Sequence, residues 1–191
     1  MKNEKINDAL EIGLNVAAPK FDLTDIFGRS INLEAYRGKK VLLGFFRHAG
    51  CPFCNLRVHD LQKNYQKLEE KNLYMIFFFQ SKDKLLLSSS FHKEVSPIPL
   101  IADPDKVWYE TYGIENSTIK SVASHLTSFI QTAVKAKLKS LPLHAMSDGE
   151  PFGTMPAEFL LDENLIIRKM HYSQTLLDRM PLETIYDFAK G

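Results

Sequence analysis

Cysteine is scarce in this sequence, with two residues, Cys51 and Cys54, in 191 positions. A disulfide-stapled scaffold is excluded, and a chain this long can bury a core without one. Long apolar runs are absent too. No stretch of eighteen or more apolar residues occurs, so no transmembrane helix is expected. Charge of one sign is not in excess. The net charge is +1, so no overall field argues for nucleic acid as a partner. Met1 to Leu14 mixes lysines with Glu4, Asp8 and Glu11 and has neither an apolar h-region nor a small-residue cleavage site. It does not read as a signal peptide, and a soluble cytoplasmic protein is expected. Gly149 and Gly153 are too sparse for a phosphate loop. His59, His92, His125, His144 and His171 share no spacing, so no metal site and no cofactor are expected.

What is present is ordinary globular material, 45% apolar and 25% charged, consistent with a single domain over residues 1–191. Residues 1–19 read as an arm. Phe21, Leu23, Ile31 and Leu33 then suggest a hairpin turning at Asp25 to Arg29. Lys39 to Phe46 and Leu73 to Phe79 are short continuous apolar runs, the pattern of strands buried on both faces. Between them Cys54, Val58, Leu61, Tyr65 and Leu68 recur at steps of three or four, which predicts one helix face. Asp83 to Lys93 reads as a helix, Leu100 to Ala102 as a short strand and Val107 to Tyr112 as a short helix. Glu158 to Asp162 and Leu165 to Met170 form a hairpin turning at Glu163-Asn164, and Pro181 to Ala189 is a final helix. This order predicts an α/β fold with a mixed central sheet flanked by helices.

Residues 116–147 stand apart as a helical insert. Ile119, Val122, Leu126, Ile130, Ala133, Val134, Leu138 and Leu141 make a stripe at helical spacing, with Lys120, Lys135, Lys137 and Lys139 as its formal charges. The stripe covers a sheet edge, forms a homodimer or partner interface, or touches an anionic membrane; four lysines are few for the last.

The two cysteines form a C-x-x-C pair where a buried strand runs into a helix start. In a reducing compartment such a pair points to redox chemistry or metal binding rather than a staple, and it would constrain the unfolded chain little. Structural zinc wants four ligands, and only His48 and His59 lie close in sequence. Two reduced cysteines filling core space are the plain alternative. Free N–H groups and the positive end of a helix favour a thiolate, the attacking species in disulfide exchange. Cys51 is expected to be the better exposed and more acidic thiol, with Cys54 one turn inside as its partner. Pro52 suits the helix start and Phe53 is a bulky neighbour. Arg47 and His48 either stabilise the thiolate or point to solvent.

Around this motif, Gly13, Ala18-Pro19, Phe21, Leu23, Asp25, Gly28 to Leu33 and Gly38 to Phe46 resemble the opening of the alkyl hydroperoxide reductase and thiol-specific antioxidant group, the peroxiredoxins. Asp103-Pro104 to Tyr112-Gly113-Ile114 resembles their middle segment. Met155 to Asp162 resembles the cis-proline segment of thioredoxin-like folds. The resemblance implies a thioredoxin-like fold with an N-terminal hairpin extension. It further implies a cis Pro156 facing the cysteines, and a Met155 backbone that pairs with a substrate disulfide. The sequence departs from the group's P-x-x-x-[TS]-x-x-C. Aligned on Cys54, the Thr position holds Cys51; aligned on Cys51, it holds His48 and the Pro position holds Gly44. An arginine near Thr154 and Met155 is also not evident.

The expected function is therefore a thiol–disulfide oxidoreductase in which Cys51 attacks and Cys54 resolves. Its substrate would be a protein disulfide, and a thiol reductant would complete the cycle. A thiol-dependent peroxidase acting on peroxide is the alternative, and a thioredoxin-fold interaction module with incidental cysteines is the third reading.

Overall fold

A computed structural model describes residues 12–114, 131–141 and 153–191. A small antiparallel hairpin, β1 (Asp22–Thr24) and β2 (Ser30–Asn32), leads through a 3-10 turn at Leu33–Tyr36 into the main sheet. That sheet contains β3 (Lys40–Phe46), β4 (Leu73–Phe79), β5 (Leu100–Ala102), β6 (Ala157–Leu161) and β7 (Ile167–Tyr172), in the order β5-β4-β3-β6-β7. β3, β4 and β5 run parallel, while β6 and β7 are antiparallel additions. The sheet is mixed, as the order of elements implied.

β3 and β4 lie at the centre and are buried almost throughout, as continuous apolar strands must be when both faces are covered. Alternation divides their side chains between two apolar layers. Leu42, Phe46, Met75, Phe77 and Phe79 join one layer with Val58, Leu61 and Leu68 of α1 (Pro52–Glu69) and Ile185 and Ala189 of α6 (Leu182–Lys190). Val41, Leu43, Phe45, Ile76 and Phe78 join the other with Phe21, Ile31, Tyr109 and Tyr112, from the hairpin and the region of α4 (Val107–Thr111). Lys40 fastens the C-terminus: its Nζ donates to the carbonyls of Phe188 and Ala189, at 3.0 and 3.3 Å, where a helix end favours a cation.

Three expectations need correction. The helix over Asp83 to Lys93 is two, α2 (Asp83–Leu87) and α3 (Ser90–Glu94), broken at Ser88-Ser89. Serine competes with helical backbone bonding, and Ser88 Oγ donates to the Leu85 carbonyl. β7 starts at Ile167 rather than Leu165, because the Asp162 carboxylate accepts from the N–H groups of Asn164 and Ile166 and prolongs the turn. In the insert, residues 131–138 are helical (α5), but the apolar stripe faces differently. Thr132, Ala136 and Leu141 are buried, whereas Val134 and Leu138 are exposed. Which residues a helix buries depends on the surface it meets, and a polar Thr132 serves here. Ile119, Val122, Leu126 and Ile130 lie outside the described residues, as does most of the insert.

One polar device crosses the first layer. Arg57 of α1 forms a two-point bond with Glu158 of β6, Nε to Oε1 at 2.7 Å and Nη2 to Oε2 at 2.8 Å. Arg57 Nη2 also donates to the Met180 carbonyl, and the Met180 N–H donates to Glu158 Oε2. Both side chains are buried, so each charge depends on the other. The clamp fixes the helix that starts at the cysteines, strand β6 and the loop before α6 against one another.

Two predictions follow from this packing. A Cβ at Gly44 would stand 2.9 Å from Phe46 Cε2 and 3.1 Å from Phe77 Cδ1, inside the core. Gly44→Ala is expected to destabilise by about 1–3 kcal/mol, read as a lowered denaturant midpoint. Glu158→Leu alone should cost about 3–5 kcal/mol by stranding Arg57, and the double variant Arg57→Met, Glu158→Leu should recover much of that loss in the same measurement.

Candidate functional site

The site is built where β3 ends. Cys51 is the N-cap of α1, and Pro52 occupies its first turn, where a missing N–H costs nothing. No acidic side chain lies in that turn, so the positive end of the helix is not neutralised locally. The loop before it is pinned at several points. The Ala49 N–H donates to Ser81 Oγ at 2.8 Å, and Asn55 Nδ2 donates to the Ala49 carbonyl at 2.8 Å. The Cys51 N–H donates to the His48 carbonyl at 3.0 Å, and the Gln80 N–H to that of Arg47 at 3.3 Å. Tyr109 reaches from the opposite layer to donate to the Phe46 carbonyl, and it also lies 3.1 Å from that of Phe78.

The two cysteines are reduced and face each other. Arg47 Nη1 lies 3.7 Å from Cys51 Sγ, and the Arg47 backbone N–H donates to Cys54 Sγ at 3.4 Å. Burial pushes the Cys51 thiol up. The hydrogen bond from the Cys54 thiol, the Arg47 charge, the Cys54 backbone N–H and the Arg179 charge together outweigh it, and bring its pKa down to about 6. Cys54 moves the other way, raised by burial and by its bond and repulsion with Cys51. This asymmetry is the one expected, with Cys51 the more acidic thiol.

Exposure is not as expected. Cys51 is 0% exposed, as is Cys54, so the first cysteine is not the better exposed one. It shares an apolar cluster with Ala49, Phe53 and Met155, and the Arg47 guanidinium adjoins it. Arg47 and His48 are themselves buried, which removes the reading of both as solvent-facing loop residues. Phe53 and Met155 are buried in the same apolar layer as the pair. Pro156 is buried nearby, but its peptide bond is not cis; among the described residues the cis bond is Ser96–Pro97. The Pro156 carbonyl accepts from the Ser173 N–H, and Ala157 pairs with Phe45 and Tyr172. The segment therefore enters β6 already extended, where the ordinary trans bond serves.

Several contributors escape a linear reading. Arg57, Glu158 and Tyr109 act through partners far along the chain. A glutamate inside the apolar run of β6 was the one available signal, since a buried charge implies a partner. Arg179 carried no signal. Its Nη1 donates to Ser173 Oγ at 3.3 Å and to the Asp178 carbonyl at 2.6 Å, and its charge favours the anionic form of both cysteines. Beside it, α1, α5 and residues 176–179 border a cavity of about 580 Å³, whose wall includes Phe53, Leu56, Leu138, Leu176 and Arg179. No helix among the described residues is long and apolar enough to cross a membrane.

Comparison with known proteins agrees with this architecture. Peroxiredoxin Bcp of Escherichia coli is 30% identical over 97 residues, covering 51% of this chain and 62% of that protein. The chain thus matches less than two thirds of the length of that curated relative. A crystal structure of a Chlorobium tepidum protein provisionally assigned as thiol:disulfide interchange protein DsbE superposes with a TM-score of 0.63 at 18% identity, covering 95% of this chain and 100% of that one. The reduced 2-Cys peroxiredoxin of Plasmodium vivax gives 0.61 at 16% identity, covering 91% and 93%. At such identities the likeness is one of fold, and the fold is thioredoxin-like. The AhpC/TSA family model matches residues 14–170, and on that match the chain belongs to the AhpC/TSA family.

Proposed function

We propose that this chain is a dithiol redox enzyme in which Cys51 is the nucleophile and Cys54 the resolving thiol. The observation that carries the reading is two facing thiols at the open first turn of α1, with Arg47 Nη1 3.7 Å from Cys51 Sγ and the Arg47 N–H on Cys54 Sγ; this setting lowers Cys51 to about 6 and raises Cys54. At neutral pH Cys51 is then mostly thiolate, while Cys54 keeps its proton. The Cys51 thiolate attacks one sulfur of a substrate disulfide, a Cys51 mixed disulfide forms, and the other substrate sulfur leaves as thiolate. Cys54, deprotonated, attacks Cys51 Sγ, closes the intramolecular disulfide and releases the second substrate thiol. A thiol reductant restores the pair. Because both sulfurs are buried, exchange requires the groups covering them to move and admit the substrate. Arg47 and His48 shape the thiolate environment, and Pro52, Phe53, Met155 and Pro156 border it. A reducing compartment such as the cytoplasm is the proposed setting, since a C-x-x-C pair there serves redox exchange rather than stapling.

The kinship with peroxiredoxins supports a second reading, a thiol peroxidase. There the Cys51 thiolate takes the terminal oxygen of a hydroperoxide, becoming a sulfenic acid as the O–O bond breaks and an alcohol leaves. Cys54 then condenses with it, releasing water and forming the same disulfide. Arg47 beside Cys51 is the cation that would polarise the O–O bond, in place of an arginine near Thr154 and Met155.

Thiolate absorbance against pH tests the shared premise. In the wild type one thiol should titrate near pH 6, the anion forming as pH rises, and Cys54→Ala or Arg47→Met should move that midpoint upward, since each removes a group favouring the anion. An ordinary thiol midpoint of about 8.5 for both cysteines would count against either reading. Reduction of a protein disulfide abolished by Cys51→Ser selects the first activity. Peroxide consumption abolished by the same change, with disulfide reduction absent in the wild type, selects the second.

A further inference from the structure

Tyr109 carries a hydroxyl that packing does not require. Its ring is buried edge-on against Phe45, centroids 5.3 Å apart, and phenylalanine would fill that space as well. A hydroxyl taken out of water is a cost unless it is bonded. Here the bond goes to the Phe46 carbonyl, at the end of β3. That carbonyl and the Arg47 N–H belong to one peptide group, and the Arg47 N–H donates to Cys54 Sγ at 3.4 Å. One peptide therefore accepts from Tyr109 at its oxygen and donates to the second sulfur from its nitrogen. The tyrosine is held in place for this contact. The Asp103 N–H donates to the Phe79 carbonyl at 2.7 Å, and the Asp103 carboxylate accepts from the N–H groups of Val107 and Trp108 at 3.1 and 2.8 Å. These bonds fasten α4 to the end of β4.

We propose, on the dithiol reading above, that Tyr109 is a positioning residue for the thiol pair and acts on Cys54 through the Phe46–Arg47 peptide. A bond accepted by a carbonyl draws electron density to its oxygen and leaves the N–H of the same peptide a stronger donor. Bonds arranged head to tail strengthen one another in this way where water is excluded. The direction here is uniform. The Tyr109 hydroxyl gives to the peptide oxygen, the peptide N–H gives to Cys54 Sγ, and the Cys54 thiol gives to Cys51. A stronger donor on Cys54 Sγ makes that thiol the better donor in its turn, so the Cys51 anion gains. The same N–H favours Cys54 itself as an anion, the form in which it attacks the mixed disulfide. The other charges bearing on the pair are the guanidinium groups of Arg47 and Arg179, and Asp103 bears on Tyr109. His48 is buried in the same loop, and Arg57, further along α1, is paired with Glu158. None of these side chains is a link in the chain of bonds.

Thiolate absorbance against pH tests this on the full chain, in the wild type, Tyr109→Phe, Cys54→Ala and the double variant. Tyr109→Phe should move the Cys51 midpoint up by about 0.3 of a pH unit, a twofold change in acid dissociation, the scale of mutual strengthening along such a chain. In the Cys54→Ala background the same substitution should have no measurable effect, because the last link is gone. A merely loosened loop would shift both backgrounds alike, since Arg47 and the helix end act on Cys51 without Cys54. An equal or larger shift in the Cys54→Ala background overturns the proposal, and so does no shift in either. Should Tyr109→Phe not fold, NMR of the wild type and Cys54→Ala decides. The Arg47 amide proton should move downfield as Cys51 ionises in the wild type and lose that movement in Cys54→Ala. A static amide, or equal movement in both, overturns the proposal. A wild-type midpoint no lower than about 8.5 for either cysteine would mean instead that the dithiol reading itself has failed.

Discussion

A thiolate sealed from water has to be answered by fixed charge and hydrogen bonds, and the region around Cys51 is arranged to do so. Burial alone would hold this thiol neutral. The Cys54 thiol, the Arg47 guanidinium and the open first turn of α1 reverse that outcome, and each is held by something else. Arg47 leaves the end of β3, a strand buried along its whole length, and Cys54 is one turn into a helix packed on the same sheet. The loop between them is held by Ser81, Asn55 and Tyr109, drawn from both sides of the sheet. The acidity of one sulfur is in this sense a property of the whole central layer.

The same logic explains the buried ion pair. Arg57 and Glu158 would each be costly alone, and a well-packed apolar pair would hold the fold as well. What an apolar pair would lack is direction. The two-point bond and the two bonds to the Met180 backbone fix how α1, β6 and the following loop meet. That fixes the backbone next to Arg179, whose charge favours the anionic form of both cysteines. Stability and site geometry are coupled here through one polar contact.

Much of the fold was legible in the sequence because it follows from local periodicity. The continuous runs Val41 to Phe46 and Leu73 to Phe79 have the pattern of central strands, and they are β3 and β4. The helical recurrence of Val58, Leu61 and Leu68 marked the inner face of α1, and all three are buried. The readings failed where a distant surface decided the outcome. The orientation of α5 buries Thr132 and exposes Leu138, and no property of that segment alone predicts it. The peptide before Pro156 is trans where the resemblance implied cis, and the covering of Cys51 follows from what packs across it.

The sequence by itself determined the central strands, the helix that follows them and the placing of a C-x-x-C at its start. These are set by side-chain period, by proline at a helix end and by the spacing of two cysteines, all of which are properties of neighbours along the chain. Only the tertiary structure decided that Cys51 is buried, that the Arg47 and Arg179 charges bear on it, and that Arg57 of α1 pairs with Glu158 of β6. The reason is electrostatic. Interaction between charges depends on distance in space and on the water excluded between them, and a linear sequence specifies neither.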